Sequence, residues 1–176
     1  MTRWMTFAAL VAVALLGLFV APAAQVKTGG PINPGDTAWM LTATALVLLM
    51  TPGLSFFYGG MVKLKNVIST LLQSFVSMAV ISVVWVVVGF SLAFGDSFGG
   101  LIGDPRTFFM FSGVGDATHP DLAPTIPLML FALFQLKFAI ITPALVTGAF
   151  AERVKFGPYL LFLVLFSIFI YSPLAH

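Results

Sequence analysis

Four long runs of apolar residues, separated by polar stretches, organise most of the chain. They cover residues 37–58, 67–94, 127–150 and 159–174. At a helical rise of about 1.5 Å per residue, runs of about 16 to 28 residues extend roughly 24 to 42 Å, which is enough to cross or nearly cross a hydrocarbon core of about 30 Å. The pattern therefore predicts about four transmembrane helices.

The composition supports the same fold class. Hydrophobic residues make up 60% of the 176 positions and charged residues only 8%, whereas about a quarter of the residues of a soluble domain are charged. The apolar runs are continuous and do not alternate with polar residues, as the strands of a membrane barrel would. We expect an all-α transmembrane protein, folded as a helical bundle.

A shorter apolar stretch, residues 7–20, opens the chain. Arg3 precedes it, and small residues, Ala21 and Ala23, follow it. A positive start, a short apolar core and a small-residue site are typical of a cleavable signal peptide. The sequence predicts a signal peptide over residues 1–24 and a membrane domain over residues 25–176; the alternative is an uncleaved first transmembrane helix.

The charges between the apolar runs predict the orientation. The first and third connections carry four basic residues and one acid: Lys63, Lys65, Glu152, Arg153 and Lys155. The segments on the other side hold five aspartates against two basic residues: Asp36, Asp96, Asp104, Asp116 and Asp121, with Lys27 and Arg106. By the positive-inside rule, the basic connections are cytoplasmic and the mature N-terminus lies outside.

The sequence lacks the residues that several kinds of catalytic and cofactor-binding site require. The sequence has no cysteine, and its two histidines, His119 and His176, are far apart. No glycine-rich phosphate loop or paired metal ligands appear, so we predict neither an enzyme nor a cofactor. The basic residues form no cluster longer than Lys63 to Lys65, and we expect no nucleic-acid partner.

Two features of the third apolar run could serve a function. Lys137 is a charge inside this run, where even low estimates set its cost at about 2.5 kcal/mol; it either pairs or snorkels structurally, or takes part directly in transport. Phe134 and Phe138 stand four residues apart, on one helix face. Such a pair is ordinarily packing, but beside a vestibule it could bind a small cation through cation–π attraction.

Three stretches together resemble the ammonium transporters of the Amt/Mep/Rh family. Residues 36–67 contain Pro52-Gly53 and the motif FYGG, residues 134–153 begin with Phe-Gln and end with GAFAER, and residues 172–176 read SPLAH. The resemblance implies an eleven-helix fold with an external N-terminus, of which this chain is the first four helices. It also implies a homotrimer with one hydrophobic pore in each subunit and ammonium or ammonia as substrate.

The resemblance also suggests roles for individual residues. Phe138 resembles the phenylalanine that gates the pore below an external ammonium site, and Phe134 resembles its neighbour in that vestibule. Four further residues resemble apolar or aromatic pore-lining positions: Leu54, Phe57, Tyr58 and Leu145. The tryptophan of that ammonium site and the paired pore histidines of the family come after His176, which is itself neither of these histidines, and the position of Lys137 varies in the family.

The same resemblance implies a setting for the protein. It suggests the inner (plasma) membrane of the cell, crossed several times, and a PII-type signalling protein as a cytoplasmic partner. The alternative to a transporter is an ammonium sensor that uses the same membrane domain. The chain stops at His176 without a polar tail, which predicts that it is part of a longer protein.

Overall fold

The computed structural model describes residues 28–176 and contains four helices long and apolar enough to cross a membrane. They are α1 (Pro34–Gly59), α2 (Leu64–Phe94), α3 (Leu128–Phe150) and α4 (Phe156–Ala175). The all-α prediction is confirmed for this part of the chain, and each helix matches one predicted apolar run to within a few residues. The predicted signal peptide lies outside the described residues.

Local sequence explains where α1 begins and ends. The Asn33 side-chain oxygen accepts hydrogen bonds from the backbone N–H groups of Gly35 (2.8 Å) and Asp36 (3.2 Å), so it satisfies donors that have no partner within the helix. Pro34 occupies the first turn, where a missing N–H costs nothing. At the other end, the N–H of Gly60 bonds to the Phe56 carbonyl at 3.0 Å. Helix α1 thus begins at Pro34, before the apolar run that starts at residue 37.

Two of the helices contain a wide π turn. In α2 the turn covers Trp85–Gly89, and in α4 it covers Ser167–Tyr171. Proline cannot donate a hydrogen bond to the preceding turn, so Pro173 favours an irregular turn just before it in α4. The Ser172 backbone N–H and the Ser172 hydroxyl both donate to the Ser167 carbonyl, the hydroxyl at 2.9 Å, so two hydrogen bonds close the wide turn.

Helix α2 lies at the centre of the bundle and is bonded to the other three helices. Hydroxyl groups donate to backbone carbonyls across each contact, as is common where helices pack in membranes. These bonds are Ser55 Oγ to Leu71 O at 2.9 Å, Ser77 Oγ to Ile140 O at 3.1 Å, and Tyr159 Oη to Gln73 O at 2.9 Å. In contrast, α1 is the least buried of the four spans.

The start of α1 and the long connection between α2 and α3 lie at one end of the bundle. The backbone N–H of Gly29 donates to the Thr118 carbonyl at 3.0 Å, and that of Asn33 donates to the Thr125 carbonyl at 2.8 Å. The connection also contains a short antiparallel hairpin, β1 (Ser97–Phe98) and β2 (Ile102–Gly103). We call this the outer end, after the predicted orientation.

The first and third connections meet at the opposite end. The Glu152 carboxylate accepts one hydrogen bond from the Lys63 backbone N–H at 2.9 Å and one from the Asn66 side chain at 2.8 Å. The Asn66 side chain, and next the Lys63 N–H, lower the pKa of Glu152 because they stabilise its charged form. The acid of the GAFAER motif therefore joins the two predicted cytoplasmic connections.

Candidate functional site

An open groove of about 600 Å³ lies between α3 and α4. Its walls are mostly apolar and aromatic, with a few polar groups. The lining residues are Phe134, Gln135, Phe138 and Thr142 of α3, and Phe166, Ile170, Tyr171, Leu174 and Ala175 of α4. This is the composition of a small-molecule site: apolar walls with few polar atoms.

The groove lies in the outer half of the bundle. Helix α3 starts at Leu128, next to the long connection, so Phe134 and Phe138 are about 9 and 15 Å along its axis. Helix α4 runs the opposite way and ends at the outer side, so Tyr171 and Leu174 lie in its last turns. A solute could therefore reach the groove from the outer end without crossing the whole membrane.

The two predicted phenylalanines line the groove together. The ring centroids of Phe134 and Phe138 are 5.2 Å apart, with the planes at 75°. An edge-to-face pair of this kind points the electron-rich face of one ring at the edge of the other and leaves a second face open. The open face can attract a small cation.

Three polar side chains also line the groove: Gln135, Thr142 and Tyr171. The Thr142 hydroxyl donates to the Phe138 carbonyl at 2.7 Å, so its proton is already used. Within residues 28–176, neither the Gln135 amide nor the Tyr171 hydroxyl has a hydrogen-bond partner. Both are free to bind a solute.

An aromatic cluster packs behind Tyr171. The Trp85 and Tyr171 ring centroids are 6.2 Å apart, with the planes at 63°. Trp85 is fully buried, and its indole N–H donates to the Ala132 carbonyl at 3.1 Å. Phe90 continues the cluster, 5.8 Å from Trp85. A tyrosine against this fixed surface has little freedom to turn away.

The four residues that resemble pore-lining positions lie further inward and do not line the groove. The Tyr58 hydroxyl donates to the Leu145 carbonyl at 2.7 Å, which joins α1 to α3. Phe57 packs against Tyr58 at 5.5 Å and is 61% exposed, whereas Leu54 is half-buried. Leu145 is 50% exposed and follows Phe138 by two helical turns on the same face.

Lys137 and the histidines lie apart from the groove. Lys137 is half-buried and has no ion pair or hydrogen bond within the described part of the chain. The ring nitrogens of His176 contact the Ala93 carbonyl (3.2 Å) and the Ser97 hydroxyl (3.0 Å), so this residue joins the end of α4 to the end of α2 and to the hairpin. Over residues 28–176, no group of acidic or histidine side chains could hold a metal ion.

Gln135 and Tyr171 are polar residues of the groove that the sequence alone did not point to. Gln135 offered a weak signal, because it is an amide inside an apolar run, directly after Phe134. Tyr171 offered none, because one tyrosine in a run of aromatic and aliphatic residues is ordinary packing. Only the packing of α4 against α3 brings it to the groove.

A comparison with protein families gives a direct match. The model of the Ammonium Transporter Family matches residues 38–176. The chain belongs to the ammonium transporter family. The predicted resemblance to this family is thereby confirmed. Together with the four helices of membrane-span length, it shows a multi-pass membrane protein.

Individual members of the ammonium transporter family support this assignment. It is 47% identical over 165 residues to the ammonium transporter of Mycobacterium bovis, covering 86% of this chain and 35% of the relative. It is 50% identical over 145 residues to the ammonium transporter of Bacillus subtilis, covering 81% and 34%. The chain thus spans about a third of the length of the curated relatives it matches.

Solved structures agree with the fold. The crystal structure of Candida albicans Mep2 matches with a TM-score of 0.71 at 29% identity, covering 82% of this chain and 31% of Mep2. A structure named Sensor Amt Protein matches with a TM-score of 0.69 at 33% identity, covering 79% and 32%. This chain therefore shares its helix arrangement with the matched parts of both structures.

Proposed function

We propose that the protein containing this chain transports ammonium or ammonia across the membrane, and that the substrate first binds in the outer groove. The observation that carries this proposal is the Phe134–Phe138 pair, which lines the groove at 5.2 Å between centroids in a member of the ammonium transporter family. The pair offers an open aromatic face to a cation where the bilayer begins to exclude water.

The mechanism follows from the cost of moving a charge. An unpaired ion is strongly disfavoured in a dry, apolar path, so a site that concentrates ammonium at the outer end raises the supply of substrate. Phe138 then acts as the gate, and the substrate loses a proton or its water beyond it. Leu54, Phe57, Tyr58 and Leu145 line the apolar path further inward.

The assembly and location are parts of the same proposal. We place the protein in the inner (plasma) membrane as a homotrimer. The apolar outer surface of α1, with Trp39 75% exposed, suits contact with lipid or with a neighbouring subunit. A PII-type signalling protein is the proposed cytoplasmic partner, near the basic connections that contain Lys63 and Arg153.

The test is growth of a transporter-deficient cell on low ammonium. We expect the full-length protein to restore growth and Phe138→Ala to lose this rescue. Phe98→Ala is the matched control, because Phe98 is a 70% exposed phenylalanine of the hairpin and does not line the groove; it should rescue normally. If the wild-type protein reaches the membrane but fails to restore growth or uptake, transport is the wrong function.

An ammonium sensor is the second candidate. The observation that favours it is the match to the Sensor Amt Protein at 33% identity. A sensor would bind ammonium in the same groove and pass the signal to an output domain or partner. Ammonium-dependent binding without uptake, together with a cytoplasmic output domain in the full-length protein, would support the sensor over the transporter.

A further inference from the structure

Lys137 is a charged residue in the middle of a membrane-spanning helix. It follows the start of α3 at Leu128 by nine residues and precedes its end at Phe150 by thirteen. At the helical rise, it is about 14 Å from the outer end of α3 and about 20 Å from the inner end. The four-carbon stem of a lysine cannot carry its ammonium group across either distance. The charge of Lys137 therefore stays in the interior of the bundle.

No opposite charge lies near Lys137 in the part of the chain that the structure describes. Over residues 28–176, the four spans contain two other charged residues, Asp36 in the first turn of α1 and Lys65 in the first turn of α2. Both are at helix ends, and Lys137 makes no ion pair or hydrogen bond with a described residue. An ionisable residue inside the membrane is costly and marks a functional site by default. The position of Lys137 is thus better explained by an effect on the substrate than by packing.

Phe138, the proposed gate, comes directly after Lys137 in the chain. Consecutive Cα atoms are about 3.8 Å apart, so the lysine charge lies within about 10 Å of the Phe138 backbone whichever way its four-carbon stem extends. Phe138 lines the groove together with Phe134. A cation that reaches the Phe134–Phe138 pair is therefore close to a second positive charge, and the walls around it are mostly apolar.

The repulsion between these two charges is large enough to change binding. Two unit charges about 10 Å apart, at an effective dielectric constant of about 20, repel each other enough to weaken the binding of a cation by about tenfold. Aromatic faces attract the same cation, so the lysine opposes this attraction without abolishing it. A path that conducts must bind its substrate strongly enough to admit it and weakly enough to release it. A positive charge near the gate meets the second requirement.

We infer that Lys137 sets the affinity of the gate region for ammonium: its positive charge weakens the binding of the cation beside Phe138 and so favours its release. This inference rests on the proposed function. It concerns the charge of the side chain and not its shape. Arginine at this position should therefore act as lysine does, whereas a neutral side chain should strengthen the binding of ammonium, and a carboxylate should strengthen it at least as much.

The test measures ammonium uptake by the full-length protein in phosphatidylcholine vesicles. Lys137→Met should lower the ammonium concentration for half-maximal uptake by about tenfold, Lys137→Glu should lower it at least as far, and Lys137→Arg should keep it within about twofold of wild type. Lys155→Met is the matched control, because Lys155 is exposed at the inner end, just before α4; it loses the same charge and should match wild type. If Lys137→Met does not accumulate, Lys137→Gln replaces it with the same expected result.

Uptake and binding together separate this inference from the proposed function. If wild type takes up ammonium but Lys137→Met does not lower the half-maximal concentration, or Lys137→Arg lowers it equally, the charge of Lys137 has no such role while transport stands. If wild type shows no uptake, binding decides. Ammonium chloride should raise the unfolding temperature relative to sodium chloride, and Lys137→Met should reach half of this shift at an ammonium concentration about tenfold lower; transport then fails while the role of Lys137 stands. An unchanged concentration, or no shift in wild type, would contradict both.

Discussion

Gly148 of α3 packs directly against the Tyr58 ring of α1. A Cβ atom at this position would be 2.7 Å from Tyr58 Cε1 and 3.0 Å from the Tyr58 hydroxyl. Those are closer than side-chain carbons approach one another in packed proteins. The absence of a side chain at one position therefore allows the tyrosine to reach the Leu145 carbonyl, and it explains in physical terms why glycine occupies the first position of the GAFAER motif.

Gly148→Ala should destabilise the protein. The new methyl group displaces the Tyr58 ring and breaks its 2.7 Å hydrogen bond to Leu145, and overpacking of this kind costs about 1–3 kcal/mol. The measurement is the unfolding temperature of the purified full-length protein. Gly53→Ala is the control, because a Cβ there meets nothing within 4 Å; its unfolding temperature should be unchanged or slightly higher. Equal values for wild type and Gly148→Ala would contradict the close contact.

Two tyrosine hydroxyls should differ in their effect on stability. The Tyr159 hydroxyl donates to the Gln73 carbonyl at 2.9 Å, whereas the Tyr171 hydroxyl has no partner within residues 28–176. Tyr159→Phe should therefore lower the free energy of unfolding by about 0.6–1.7 kcal/mol, and Tyr171→Phe should leave it unchanged or raise it. Chemical denaturation in detergent gives both values. A larger loss for Tyr171→Phe would refute the assigned bonding.

The sequence predicted the number and type of the helices well, but it predicted the residues at which they begin and end less well. The run 127–150 corresponds to α3 (Leu128–Phe150) because lipid-facing helices carry their signal in continuous hydrophobicity. Helix α1 begins earlier than its run, at Pro34, because the Asn33 side chain caps it. Hydropathy does not detect caps, since they depend on polar residues.

The candidate site was predictable only on one of its two helices. The spacing of Phe134 and Phe138 placed both on one face of α3, because residues four apart lie one above the other in a regular helix. Tyr171 could not be placed in the same way, since the π turn that it ends interrupts the regular period. Which face of α4 meets α3 is also decided by tertiary contacts, and no local pattern reports them.

The bond between the two inner connections should make stability depend on pH. The pKa of Glu152 lies below its usual value of 4.5, first because of Asn66 and next because of the Lys63 N–H. A group with a lowered pKa in the folded state stabilises it fully above the unfolded pKa, and this contribution disappears as the pH falls through the folded pKa. The advantage of wild type over Glu152→Gln in unfolding temperature should therefore be present at pH 7 and shrink at pH values below about 4.5.

Asn66→Ala serves as the control for this experiment. It removes the first cause of the lowered pKa of Glu152, so the pH at which the stabilisation is lost should move upward, toward the value of a free glutamate. Unfolding temperatures measured from pH 3 to pH 7 on the three proteins provide the comparison. A wild-type advantage that does not change with pH would show that the Glu152 charge is not involved.

For the whole molecule, the two ends of the bundle are chemically different. The outer end holds the long connection and the start of α1, joined by backbone hydrogen bonds. The inner end holds the two basic connections, joined through Glu152. By the positive-inside rule, we expect such a bundle to insert with its basic end in the cytoplasm, and this predicts that the mouth of the groove lies outside the cell.

Cysteine labelling can test this orientation. The chain contains no cysteine, so Asp116→Cys and Lys65→Cys introduce single thiols at exposed positions of the outer and inner connections, in a full-length protein freed of any other cysteine. A membrane-impermeant maleimide should label Asp116→Cys in intact cells and Lys65→Cys only after permeabilisation. The reverse pattern would overturn the topology.

The π turn of α4 also affects how this helix would respond to the loss of one residue. A π turn closes its hydrogen bond one residue further along the chain than an α turn, so it takes up one extra residue within a single turn. Removing one residue between Ser167 and Tyr171 would let an ordinary α turn form there, and the residues after Tyr171 would keep their faces. A one-residue deletion here should thus be tolerated by the span, whereas the same deletion in a regular turn would rotate everything after it by about 100°.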